Sequence, residues 1–153
     1  MKTEDSIIHE VLYPYPIELV WQTLTSSEAL AQWLMPNDFA PILGHCFTFQ
    51  TAPRMGWNGV VECQVVVLDP PERVAFTWRG GSILDTLVTF TLTAVEQQTR
   101  LRLEHSGFAA TGEAGLNVRD LLNRGWRSHI LHRQLPELLA RLTEQPQSRV
   151  EPY

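Results

Sequence analysis

Hydrophobic and polar positions alternate through the middle of the chain, while both flanks show helical spacing. Residues 7–13 read as a first strand, ended by the prolines of "PYP". Pro16 stands where a helix can begin, and Ile17, Val20, Trp21 and Leu24 recur at helical spacing through "IELVWQTLT". Ser26 or Ser27 is placed to cap a second short helix, "EALAQWLM", which Pro36 closes. Segments 44–50, 57–68, 73–78, 83–93 and 100–105 are rich in Val, Thr, Phe and Trp. Turn signals such as "DPPER" and "RGGS" separate them, so they predict a meander of five further strands. A long helical segment follows over 113–143, and the polar tail 144–153, "EQPQSRVEPY", is expected to be disordered. One domain over 1–143 accounts for this pattern.

The last helical segment carries a conflict. At about 100° per residue, Val118, Leu122 and Trp126 share one face, whereas Leu131, Leu135, Leu138 and Leu142 lie nearly opposite. One sheet cannot bury both stripes. Gly125 is a weak point and Pro136 removes an internal hydrogen bond, so a π-bulge or bend is expected between Trp126 and Leu135.

The stretch "TRLRLEHSGF" sets Glu104, His105 and Ser106 side by side, the residue types of a hydrolytic triad. Successive strand side chains point to opposite faces, so Glu104 and Ser106 fall on the polar face and His105 on the apolar one. A base must reach both its partners, and three consecutive strand residues do not allow that. Ester and amide hydrolysis at His105 is therefore not expected. By the same parity His105 shares its face with Leu101 and Leu103, and with Val61, Cys63, Val65 and Val67. Val74, Phe76 and Trp78, and Thr86, Val88, Phe90 and Leu92, complete that face. His105 is then either a core histidine with satisfied nitrogens or the polar anchor of an apolar pocket.

Composition narrows the function classes. With 44% apolar and 19% charged residues among 153, the chain reads as globular. A net charge of -5 argues against broad binding to nucleic acid or anionic membranes. Two cysteines, Cys46 and Cys63, without CxxC or zinc spacing, indicate neither a disulfide scaffold nor a structural metal. His129 and His132 lack a third ligand in a recognisable motif, and no cofactor is expected. "MKTEDSIIHE" has no signal-peptide stretch and no apolar run is long enough to span a bilayer, so the expected location is cytoplasmic.

"YPIELVWQTLTSSEALAQWLMP", "GHCFTF", "GVVECQVVVLDPPERVAFTW", "TRLRLEHSGF" and the "GW" at Gly125–Trp126 resemble, in order and spacing, the homologues of the activator of heat-shock protein 90 ATPase. These belong to the START-like, ligand-binding SRPBCC superfamily, and the resemblance covers about 7–142. It implies an α+β helix-grip fold: a curved antiparallel sheet of about six strands wrapped around a long C-terminal helix, with two short helices after the first strand. It also implies a hydrophobic cavity between sheet and helix. Trp57, Phe76, Trp78, Val88, Phe90, Leu103 and His105 are expected to line its sheet side, and Leu122 and Trp126 its helix side. The leading expectation is non-catalytic binding of a small apolar or amphipathic molecule, such as a lipid, polyketide or aromatic compound. The alternatives are a cyclase- or aromatase-like enzyme using His105, and a module that binds a chaperone or another protein.

Overall fold

The computed structural model describes residues 6–52, 58–80, 84–108 and 112–150, with the backbone alone at 84, 112–117, 128–129 and 144–150. Six strands form one antiparallel sheet: β1 (Ser6–Tyr13), β2 (Cys46–Gln50), β3 (Val60–Asp69), β4 (Arg73–Gly80), β5 (Leu84–Val95) and β6 (Gln98–Ser106). Their order is β1-β6-β5-β4-β3-β2, so the meander runs from one edge and closes against β1. α1 (Ile17–Leu24) and α2 (Ser27–Trp33) follow β1. Pro16 is the N-cap of α1, and the Ser26 hydroxyl accepts from Ala29 N–H at 3.3 Å at the start of α2. The sheet curves around the last helical segment, as the helix-grip expectation requires.

Strand parity holds over most of the inner face: Val61, Cys63, Val65, Val74, Phe76, Trp78, Thr86, Val88, Phe90, Leu92, Leu101, Leu103 and His105 are all buried. It fails at one point. Val65 pairs with Phe76 but Val67 pairs with Ala75, so β3 contributes one residue more than β4. This β-bulge inverts the alternation. Leu68, opposite Val74, packs against the core in place of the expected Val67, and Val66 is left exposed on the outer face. That outer face carries the charges, where Arg102 meets Glu104 at 3.1 Å and Glu10 at 3.7 Å.

The last segment is interrupted where the sequence conflict requires it. α3 (Gly112–Arg124) passes into a π-helical segment, Gly125–Gln134, before α4 (Leu135–Val150) resumes α geometry. A π turn bonds residue i to i+5, so side chains five apart come toward one face. Trp126 and Leu131 have this spacing, and both are buried together with Leu135, Leu138 and Leu139, with Val118 and Leu122 packed against them. The two stripes of the sequence thereby become one. α4 remains helical to Val150, beyond the boundary at 143 expected from the polar tail.

Pro136 explains where the π segment ends. Leu135 N–H donates to Ile130 C=O, an i+5 bond. The next bond in that register needs an N–H at 136, which proline lacks. The stranded Leu131 carbonyl instead accepts the Tyr13 hydroxyl at 2.6 Å, and burial holds the Tyr13 phenol well above its ordinary pKa. Tyr13→Phe leaves this buried carbonyl without a partner and is expected to cost about 1–3 kcal/mol in urea unfolding. A change of only a few tenths would mean that another donor serves the carbonyl.

Candidate functional site

β4, β5 and β6 present Trp78, Phe76, Phe90 and His105 from the sheet, and the π segment presents Trp126 from the helix side. The ring centroids of Trp78 and Trp126 stand 5.9 Å apart, those of Phe90 and Trp126 6.0 Å, and those of Trp78 and His105 5.3 Å. These separations are those of direct ring-to-ring contact. Gly107, at φ +102, turns the chain out of β6, and Phe108 folds back under the sheet to 4.6 Å from the His105 ring. An added Cβ at Gly107 would meet Asp85 C=O at 3.4 Å, an ordinary contact, so it is the backbone angle that favours glycine here.

Within these rings runs one chain of hydrogen bonds. Trp126 Nε1–H donates to His105 Nδ1 at 3.2 Å, His105 Nε2 lies 2.8 Å from Thr86 Oγ1, and Thr86 Oγ1–H donates to Trp78 C=O at 2.8 Å. The direction is fixed at both ends. An indole N–H only donates and a backbone carbonyl only accepts, so Nδ1 carries the lone pair and Nε2 the proton. The imidazole is neutral, and burial lowers its pKa to about 3. Every buried side-chain nitrogen and oxygen among the described residues has a partner.

Of the residues expected at the site, Phe76, Trp78, Val88, Phe90, Leu103 and Trp126 are buried and belong to one core cluster, His105 is buried against their rings, and Leu122 is half-buried against the cluster. Trp57 lies outside the described residues. Phe47, Phe49 and Phe108 join the site without being expected there, and Thr86, on the inner face by strand parity, takes a part that parity does not indicate. Phe47 and Phe49 pack on Phe76 at 5.4 and 5.9 Å, extending the aromatic wall toward β2. Their alternation in "CFTFQ" was the available signal. Trp33 joins from α2, 6.1 Å from Phe90, with its Nε1–H donated to Thr23 C=O at 2.7 Å.

The pleat separates the Glu-His-Ser run as expected: Glu104 is paired with Arg102 on the outer face while His105 is buried inside. No group of three or more His, Cys, Asp or Glu among the described residues is placed to hold a metal ion. His132 Nδ1 lies 2.7 Å from Arg127 C=O at the exposed side of the π segment, and the side chain of His129 lies outside the described residues. Cys46 is exposed and Cys63 buried, both unpaired. Burial pushes the Cys63 thiol up, with the Asp38 and Glu62 charges adding to it. Alkylation of the native protein at neutral pH is therefore expected to label Cys46 and spare Cys63, and a peptide map showing equal labelling would contradict the packing described around Cys63.

No helix among the described residues is long and apolar enough to cross a membrane. Comparison with known proteins places this architecture. The family model described as Activator of Hsp90 ATPase homolog 1-like protein matches residues 14–140. None of the curated proteins matches. A crystal structure of a Mesorhizobium loti protein is similar at 30% identity and a TM-score of 0.72, covering 91% of this chain and 96% of that one. The solution structure of a Bacillus halodurans protein shares 31% identity at a TM-score of 0.71, covering 88% and 96% respectively. An HSP90 activator from Plasmodium falciparum has the same fold at 19% identity and a TM-score of 0.68, over 84% of this chain and 91% of its own. The matched family model spans most of the chain, and with it strands β2 to β6, the π segment and the buried aromatic group; the protein belongs to the Activator of Hsp90 ATPase homolog 1-like family.

Proposed function

We propose that the protein binds a small apolar or amphipathic molecule, such as a lipid, polyketide or aromatic compound, between the concave sheet and the last helical segment. The observation that carries this reading is the aromatic enclosure with a single polar relay at its centre. Trp78, Phe108 and Trp126 pack against His105, Phe90 packs on Trp126 and Phe76 on Phe90, and Thr86 lies at hydrogen-bond distance from His105 Nε2. A largely apolar lining with a few convergent polar groups is the usual make-up of a small-molecule site. The rings touch one another, so a ligand is admitted when Trp126 and the π segment move away from the sheet. The strand ends Gln50, Val60, Gly80 and Ser106 gather at the edge of the sheet where His105 and Trp78 lie, which is the side from which a ligand would approach. His105 is buried and neutral and both its nitrogens are engaged by the protein, which favours binding over acid–base catalysis.

The protein purified without denaturant should release a stoichiometric small molecule on denaturing extraction, detected by mass spectrometry. Extracts free of any such molecule, together with no response to added apolar compounds, would contradict the reading. A protein-binding role, including one toward a chaperone, is the second reading. Among the exposed apolar side chains available to it are the adjacent Ile42 and Leu43, 60% and 64% exposed in the loop before β2.

A further inference from the structure

The hydrogen-bond direction through His105 restricts what the site accepts. On the sheet side the relay is anchored, because Thr86 and Trp78 belong to paired strands and the Thr86 hydroxyl is committed to the Trp78 carbonyl. On the helix side it rests on one longer bond, 3.2 Å, from an indole mounted on a π segment. The Trp126 indole is therefore the partner that a ligand can displace, and what it leaves behind is a buried lone pair on Nδ1.

We infer that the ligand of this site is a neutral hydrogen-bond donor on a flat apolar ring, a phenol or a hydroxylated polycycle, whose O–H replaces the Trp126 indole N–H at His105 Nδ1. This rests on the binding role proposed above and names its chemistry. An ether or plain hydrocarbon fills the space but leaves Nδ1 unpaired, which costs affinity. A carboxylate sets an acceptor charge against a lone pair on a ring whose contacts among the described residues are aromatic rings, the indole N–H and the Thr86 hydroxyl, and so is desolvated with little compensation. A cationic amine meets the same neutral groups. The ring itself takes the place of the indole between Trp78 and Phe90, where stacked and edge contacts reward a flat π system. His105 is on this account a specificity-determining residue and not a catalytic one.

The test is calorimetric titration of the full chain at neutral pH with 2-naphthol, 2-methoxynaphthalene and 2-naphthoate, which share one ring system and differ in the polar group. The naphthol is expected to bind about tenfold more tightly than the ether and on the order of a hundredfold more tightly than the carboxylate. His105→Phe should bring naphthol and ether within about twofold of each other. Trp126→Phe, which keeps a ring but removes the competing N–H, should tighten naphthol and ether alike, because neither then has to break the indole bond to Nδ1, and should leave the preference for naphthol in place, with folding of both variants checked by circular dichroism. Equal binding of naphthol and ether to the wild type, or naphthoate binding as tightly as naphthol, overturns the donor requirement while leaving the binding role intact. Absence of binding by all three compounds overturns both.

Discussion

Trp126→Ala is expected to lower the unfolding free energy by about 3–5 kcal/mol, the range for removing a large buried aromatic side chain. In a chain of this length that corresponds to a fall of about 10 °C in melting temperature. Trp126 is 1% exposed and contacts Trp78, Phe90 and His105, so its removal opens a space that the strands cannot close. It also strips His105 Nδ1 of its donor, a second cost that an apolar contact alone would not carry. Trp21→Ala is the matched control: the same residue type, only partly buried on α1, is expected to cost clearly less. Thermal or urea unfolding of both variants checks the comparison, and equal losses would show that Trp126 is not the keystone of the enclosure.

The second large effect is on acid stability. In the unfolded chain a histidine takes up its proton as pH falls through about 6.5. In the fold, burial lowers the pKa of His105 to about 3, so over that interval the unfolded state binds a proton that the native state refuses. Stability from this group is therefore complete above pH 6.5 and is lost as the pH falls from there toward 3, by up to about 1.4 kcal/mol per pH unit. Other groups titrate too, so the comparison is with His105→Gln, whose amide does not protonate in this range. Between pH 6 and pH 4 the wild-type unfolding free energy should fall more steeply than that of the variant by close to one proton's worth. Parallel profiles would mean that the imidazole is hydrated or already charged in the native state.

Both expectations depend on features of unequal visibility in the sequence. Alternation placed His105, Phe76, Trp78, Val88 and Phe90 on the inner face because a sheet with one dry side enforces a period of two. It failed at Val67, since a bulge adds a residue without any compositional mark in "QVVVLD". The π segment was legible as a contradiction: two apolar stripes on opposite sides of an ideal helix, with Gly125 at the end of the first and Pro136 inside the second, call for a change of helical period. The donor that satisfies the Leu131 carbonyl was not legible, because Tyr13 lies 118 residues away and nothing local pairs them. The same holds for the tautomer of His105. Parity supplied its direction, but only the placement of Trp126 and Thr86 on either side of the ring decides that both nitrogens are occupied and which of them accepts.

The central claim, that the enclosure between the sheet and the π segment receives a ligand, is tested most directly by the tryptophan indole N–H resonances of isotopically labelled protein during titration with 2-naphthol. The Trp126 and Trp78 signals should move saturably and together, because the Trp126 indole is displaced from the proposed position and the Trp78 ring borders it, while Trp21 on α1 stays still. A titration that leaves Trp126 and Trp78 unmoved up to the solubility limit, or that moves Trp21 alone, would contradict the account.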